Sequence, residues 1–236
     1  MRDCLPECWK EVMSNRLRAA LLVGLIALIV VVVTGCGASD DGGASAPKAT
    51  KEEQAFLKGM IPHHESAVEM AEMAKEHGQH KEIKQLVSNI ISDQSREIRR
   101  MERIYKRLNG EEIIPDPSAH EQLGLSAKAA GMEHMDMESL TRAKPFDRIF
   151  IDEMVGHHQG AIRMAHAVMD KAKDSEIKQL ANSVVETQTS EINDMNKWRK
   201  TWYGAPLPAG GAPRAGETPE GEEGATTVEG GGHEGH

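Results

Sequence analysis

The chain has 236 residues, a formal net charge of -9, and 39% apolar residues with only 3% aromatic residues. This composition favours one or two small helical domains over a sheet sandwich, and the acidic balance argues against a nucleic-acid partner. The sequence has no phosphate-binding glycine loop and no nucleophile with a matched base, so an enzymatic role stays open but unsupported.

The first recognisable pattern is an apolar run of fifteen residues, 19–33, which follows two arginines and precedes Thr-Gly-Cys. Such a run is short for a membrane span and suits a signal-peptide core, and its end is similar to a bacterial lipobox. We therefore predict a signal peptide over 1–36 that ends at a lipidated Cys36, with Met13 as the translation start. The alternative is an uncleaved anchor helix. Either way the bulk of the chain is expected outside the cytoplasm, anchored to the bacterial cell membrane.

Composition divides the remaining chain into three parts. Residues 37–50 are rich in Gly, Ser, Ala and Asp and predict a flexible tether. Residues 204–236 have almost nothing apolar to bury and predict a disordered tail. The folded part is therefore expected over 51–203. Once Cys36 is acylated this mature chain keeps no free thiol, which excludes disulfides and thiolate metal sites.

An internal duplication organises the folded part. At an offset of 94 residues, Met60 to Met101 aligns with Met154 to Met195 with 15 identities in 42 positions. We therefore predict two equivalent units, 51–108 and 145–203, joined by a long crossover, 109–144. In each unit apolar residues recur at spacings of three and four, first in one helix and then in a second. Two such hairpins predict an all-α four-helix bundle.

Two pairs of adjacent histidines interrupt these apolar helices. His63 and His157 fall on the buried seam, while His64 and His158 lie about 100° further round each helix. A buried imidazole needs a partner, and that partner is either a metal ion or a hydrogen-bonding group such as Gln94 or Gln188, the two glutamines on the inner stripe of the second helices.

The residues around the histidines favour a soft metal ion. Carboxylate-bridged di-iron bundles use Glu-x-x-His pairs, whereas here Met60 precedes His63 and Met154 precedes His157 by three residues. Thioether and imidazole donors on one helical face suit Cu(I), and imidazole also accepts Cu(II) or Zn(II). The alternative for the methionines is that they only fill the core.

Two further features of the sequence can each be interpreted either as functional or as purely structural. Pro62 and Gly156 occupy the same repeat position just before the histidines, which marks either an unusual functional site or simply two helix starts. The crossover holds a dense group of soft and imidazole donors that either captures metal or forms a flexible cap. This weaker group consists of Met132, His134, Met135 and Met137.

The duplicated "FLKGMIPHHESAVEMA" and "FDRIFIDEMVGHHQGAIRMA", each followed by Q-x-x-E-I-x-x-M, resemble the domain-of-unknown-function 305 family (DUF305) over about residues 51–203. The resemblance implies a bacterial extracytoplasmic, ferritin-like four-helix bundle, and some members of the family bind copper. Carried over by position, it implies these candidate ligands: His63, His64, His157, His158, Met60, Met70, Met154 and Met164.

The sequence thus predicts a membrane-anchored protein that binds and sequesters copper, or another transition metal such as zinc, without turnover. The principal alternative is an envelope bundle that docks partners and binds no metal. A ferritin-like metallo-oxidase is disfavoured because the Glu-x-x-His pairs are missing. Haem binding is disfavoured by the lack of C-x-x-C-H and of aromatic residues. Self-association of the chain stays open.

Overall fold

The computed structural model describes residues 48–133, 137–205 and 210–217. It contains four long helices, one short helix and one 3-10 helix, and the described residues include no strand. The α-helices are α1 (Lys51–His77), α2 (Lys81–Asn109), α3 (Met137–Arg142), α4 (Phe146–Met169) and α5 (Ser175–Tyr203), and the 3-10 helix is Pro117–Leu123.

The four long helices form a bundle of two hairpins, which confirms the predicted fold. A short loop joins α1 to its neighbour α2, another joins α4 to its neighbour α5, and the two halves meet mainly where α1 packs on α4. The helix ends follow local chemistry. Asp174 caps α5 by accepting hydrogen bonds from Glu176 and Ile177, and Gly110 and Gly204 end α2 and α5 in the left-handed conformation.

Two buried carboxylates at equivalent repeat positions tie each hairpin to the loop of the other. Glu53, in the capping box of α1, accepts hydrogen bonds from the backbone N–H groups of Lys173 and Asp174, both at 2.7 Å. Asp147, which is 94 residues later, accepts them from Gln79 and His80 at 2.8–3.1 Å. Each half of the duplication therefore satisfies the loop amides of the other half.

The hydrophobic core consists of two clusters rather than one. The first cluster joins the beginning of α1 and the end of α2 to the end of α4 and the beginning of α5. The second cluster joins the end of α1 and the beginning of α2 to the beginning of α4 and the end of α5. The histidine pairs stand between the two on α1 and α4. The bundle is therefore apolar at both ends and polar in the middle, which is the arrangement that a central site requires.

Helix α1 continues through Pro62, and α4 continues through Gly156, so the alternative that both helices start there is wrong. A proline inside a helix lacks the N–H that would bond the carbonyl four residues earlier, here that of Lys58. The backbone N–H of Asp116, in the crossover, donates to that carbonyl at 3.0 Å. Pro62 thus creates a docking point for the crossover.

Segments beyond the long helices also contact the bundle. The crossover contains the 3-10 helix and α3, and the 3-10 helix packs on α1. In the segment predicted to be disordered, Pro213 is buried, and the carbonyl of Gly211 accepts a hydrogen bond from Gln159 on α4 at 2.7 Å. Residues 210–217 therefore lie on the bundle, which corrects the prediction for that part of the tail.

Several predictions fall outside the described residues. They are the signal peptide, the lipidation of Cys36, most of the tether, and the tail after 217. Within the described ranges, no helix is both long enough and apolar enough to cross a bilayer.

Candidate metal centre

The four paired histidines lie in one layer in the middle of the bundle, which we call the histidine layer. His63 and His64 belong to α1, and His157 and His158 belong to α4. All four side chains are buried. The helical seam predicted for His63 and His157 explains why these two point inward, and the close packing of α1 on α4 buries the other two as well.

The two repeats meet at His63 and His157. Their ring centroids are 3.8 Å apart, with an angle of 42° between the ring planes. Within each pair the rings are further apart, 6.3 Å for His63 and His64 and 6.5 Å for His157 and His158. Because equivalent residues of the two repeats touch, the duplication forms one shared centre and not two separate ones.

The outer histidines are held by carboxylates that the sequence analysis did not identify as site residues. Nε2 of His64 lies 2.8 Å from Oε2 of Glu97, and Nε2 of His158 lies 2.8 Å from Oε2 of Glu191. A carboxylate only accepts hydrogen bonds, so each Nε2 carries a proton, and in the neutral form of each ring Nδ1 keeps its lone pair. The signal was present in the sequence as Q-x-x-E, repeated in both copies.

The histidine layer concentrates unpartnered polar atoms. Among the described residues, eight buried side-chain nitrogen and oxygen atoms lack a hydrogen bond, of which six are ring nitrogens of this layer and two are glutamine oxygens. They are both ring nitrogens of His63 and of His157, Nδ1 of His64 and of His158, and Oε1 of Gln94 and of Gln188. The alternative in which the two glutamine oxygens satisfy the histidines is therefore not formed.

Burial keeps the two central histidines neutral. It lowers the pKa of both His63 and His157 well below 6.5, and charge on the neighbouring histidines lowers it further. Backbone carbonyls of Ala130 and His157 oppose the shift for His63 without reaching hydrogen-bond geometry. Neutral imidazoles carry the lone pairs that a metal ion needs.

The four candidate methionines flank the histidine layer on both sides. Met60 and Met164 belong to the first core cluster, Met70 and Met154 belong to the second, and all four are fully buried. On their own helices Met60 and Met154 come one turn before a central histidine, whereas Met70 and Met164 come about 10 Å further along. Because α1 and α4 run in opposite directions, each side of the layer has one methionine that is a turn away from a central histidine and one that is about 10 Å away.

The crossover packs directly against α4 beside the histidine layer. A Cβ on Gly160 would lie 2.1 Å from the carbonyl oxygen of Ala130, so only glycine permits this approach. A Cβ on Gly131, whose φ is 64°, would lie 3.0 Å from the carbonyl oxygen of His157. Of the weaker candidate donors, Met132 packs on the first cluster and Met137 on the second, so these two are not brought together. His134 and Met135 lie outside the described residues.

The donor set favours a soft ion. In the part of the chain that the structure describes, no three or more His, Cys, Asp or Glu side chains are grouped so as to hold a metal ion. A hard ion that needs several oxygen ligands has no preformed site there. Two central imidazoles with flanking thioethers are the available donors, and this combination suits Cu(I).

Comparison with known families gives one family match. The family model described as a domain of unknown function, DUF305, matches residues 53–225. A curated relative, uncharacterized protein L153 of Acanthamoeba polyphaga mimivirus, is 39% identical over 56 residues, which is 24% of this chain. The chain spans 37% of that relative's length.

Solved structures resemble the whole bundle. The Cu(I)-bound form of CopM is 34% identical with a TM-score of 0.55, and the match covers 64% of this chain and 98% of CopM. For the Cu(II)-bound form these values are 35%, 0.56, 64% and 97%. A DUF305 fragment from Deinococcus radiodurans is 28% identical with a TM-score of 0.55, over 66% of this chain and 99% of the fragment.

Proposed function

This chain belongs to the DUF305 family, and we propose that it is an extracytoplasmic protein that binds copper in its histidine layer and sequesters it. Copper is the cargo, and no turnover is involved. The site consists of His63 and His157, with His64 and His158 beside them. Thioethers of Met60, Met154, Met70 and Met164 complete the donor set.

One observation carries the proposal. Buried polar groups in folded proteins are almost always hydrogen-bonded, because each unpaired group costs roughly 1–3 kcal/mol. Here six of the eight unpartnered buried side-chain atoms of the described residues belong to the histidine layer, between two apolar clusters. A bound ion would use imidazole lone pairs that no protein group uses. A layer serving only fold stability would not need six unpaired ring nitrogens.

The choice of copper rests on the donors and on the relatives. Imidazole with thioether is soft, and Cu(I) prefers it to a purely oxygen-lined site. CopM, which is 34% identical to this chain, has been solved in Cu(I)-bound and Ag-bound forms. Silver(I) and Cu(I) have the same charge and similar ligand preferences, so both forms are consistent with a soft-ion site. Zinc remains a competitor through the imidazoles alone.

The N-terminal sequence supports the proposed location of the protein. The apolar core over 19–33 and the lipobox-like end at Cys36 support export and lipid anchoring. A tether over 37–50 would then separate the bundle from the bilayer. Outside the cytoplasm a methionine site keeps its soft sulfur where a thiolate would tend to oxidise.

The test is a calorimetric titration of the purified protein with Cu(I) in the presence of a competing chelator. We expect tight binding that the quadruple variant of His63, His64, His157 and His158 to Ala has lost. We also expect a single tightest step per chain, because the two repeats share one centre. The variant His77→Ala serves as the control, since it removes an exposed histidine and should bind like the native chain.

Far-UV circular dichroism establishes whether the quadruple variant is folded. Equal binding by the folded variant and the native chain would refute the histidine layer as the site. Absence of binding in the native chain, together with a melting curve that Cu(I) does not shift, would favour the docking bundle without metal.

The carboxylates that hold the outer histidines should tune the affinity. Glu97→Gln and Glu191→Gln keep the size of the side chain but can turn an N–H towards Nε2, which disturbs the orientation of His64 or His158. Loss of such a supporting carboxylate typically weakens metal binding 10–100-fold. The same chelator competition measures this loss. Glu102→Gln, an exposed change on α2, is the matched control, and equal affinities for all three variants would contradict the role.

A further inference from the structure

A wide groove separates part of α2 from part of α5. It runs between the first half of α2 and the second half of α5 and has a volume of about 780 Å³. The side chains that line it include five carboxylates and one ammonium group, a formal charge of -4. They are Glu82, Asp93, Glu186, Glu191 and Asp194, with Lys81 as the cation.

Three of these carboxylates are left without a counter-ion. Asp93 pairs with Arg96 on its own helix, and Glu191 is bound to a histidine. Glu82, Glu186 and Asp194 make no ion pair with any described residue. A cleft lined by charges of one sign concentrates ions of the opposite sign. The groove is therefore suited to collect cations from solution.

The duplication makes a matched comparison available at the other end of the same two helices. There Arg107 on α2 pairs with Asp174, which caps α5, and with Glu176 in its first turn, and Arg100 lies 3.8 Å from Glu176. At an offset of 94 residues, Arg100 corresponds to Asp194 and Glu176 corresponds to Glu82. Arg100, which helps to close one end, is thus replaced by Asp194 at the other end. The end with Asp194 is therefore open and acidic.

The groove also connects to the buried centre. Glu191 lines the groove and its Oε2 lies 2.8 Å from Nε2 of His158. His158 is fully buried and its Nδ1 has no partner. One turn earlier on α5, the buried Gln188 carries an unpartnered Oε1. Glu191 therefore links the groove directly to a buried histidine whose other ring nitrogen has no partner.

We infer that this groove is the entrance through which copper ions reach the histidine layer, with Glu191 as the residue that passes them to His158. This inference rests on the proposed function. The inference gives the His158–Glu191 pair a role that the equivalent His64–Glu97 pair does not have. One turn further along the helix, Glu97 is followed by Arg100, whereas Glu191 is followed by Asp194. A cation approaching Glu97 meets an arginine, whereas one approaching Glu191 meets a carboxylate.

The test separates the rate of capture from affinity. Cu(I) is mixed at once with the purified full chain and a chromogenic Cu(I) chelator, so the early division of copper reports relative capture rates. The division after equilibration reports relative affinity. The groove variant is Glu82→Gln with Glu186→Gln and Asp194→Asn, none of which contacts a histidine. The control variant removes the same charge elsewhere through Glu65→Gln, Glu69→Gln and Glu102→Gln.

We expect the groove variant to capture copper about tenfold more slowly than the control at low salt, with an unchanged final division. In about 1 M salt the difference should vanish, because charges are then screened within about 3 Å. Asp194→Arg, which places an arginine where the other end has Arg100, changes the charge of the groove by two units and should also slow capture.

Equal early capture by the groove and control variants would overturn the entrance. A changed final division would also overturn it, since the groove would then be a binding site itself. If the native chain captures no Cu(I) at any time, the proposed function fails and the entrance fails with it. Capture by the native chain with no effect of the groove charges leaves the function intact and refutes the entrance alone.

Discussion

The metal-free protein is expected to become more stable when His63 and His157 are both replaced by leucine, although this change removes the proposed copper ligands. Four buried ring nitrogens without partners disappear, and leucine has a similar volume. Replacing buried polar groups by well-packed apolar ones commonly stabilises a protein by about 1–4 kcal/mol. A buried site that costs stability in the metal-free protein is what a binding function predicts.

The native protein should also lose stability in mild acid through these two histidines. Their folded pKa values lie well below 6.5, so between pH 6.5 and those values only the unfolded chain takes up protons. Their contribution is therefore fully present above pH 6.5 and declines below it. The slope approaches about 2.7 kcal/mol per pH unit for two groups, since each pKa unit corresponds to about 1.4 kcal/mol.

Urea unfolding at pH 7.5, 6.5 and 5.5 measures both effects. The leucine variant should be more stable than the native chain at each pH, and the gap should widen as the pH falls. A pair of exposed substitutions, His77→Leu with Glu65→Leu, controls for added apolar surface. A leucine variant that is less stable and has the same pH slope as the native chain would mean that His63 and His157 contribute stabilising contacts in the metal-free state.

The second large effect is expected at the buried carboxylate of Glu53. Burial by itself would raise its pKa, but backbone N–H groups of Asp174, Thr50 and Lys173 outweigh burial and lower it. Glu53→Ala removes these charge-assisted hydrogen bonds between the start of α1 and the loop before α5. We expect a loss of about 2–4 kcal/mol in the free energy of unfolding.

Thermal unfolding of Glu53→Ala measures this loss, and Glu52→Ala is the matched control. Glu52 is acidic and in the same first turn of α1, so it shares the favourable interaction with the helix dipole but makes none of the hydrogen bonds to the loop before α5. The contribution of Glu53 should be present above pH 4.5 and fade as the pH falls through its lowered pKa. Similar losses in both variants would assign the effect to the helix dipole rather than to the hydrogen bonds of Glu53 with Lys173 and Asp174.

The apolar spacing and the internal repeat predict some features of this structure and leave others to the packing of the helices. Apolar spacing and the 94-residue repeat predict the four helices and their hairpins, because periodicity directly encodes which face of a helix is buried. The same pattern gives the inward direction of His63 and His157. The buried state of His64 and His158 does not follow from it, because they lie at the edge of the seam and their burial depends on how closely α1 packs on α4.

Local sequence determined the helix caps, the breaks between helices and the residue types at the centre, since these depend on neighbours within a few positions. Only the tertiary structure decided that the two repeats share one histidine layer, that Glu97 and Glu191 hold the outer histidines, and that Asp116 bonds the carbonyl freed by Pro62. Each of these contacts joins residues more than 30 positions apart in the chain. A repeat identifies equivalent residues, but the packing of its copies decides whether those residues meet.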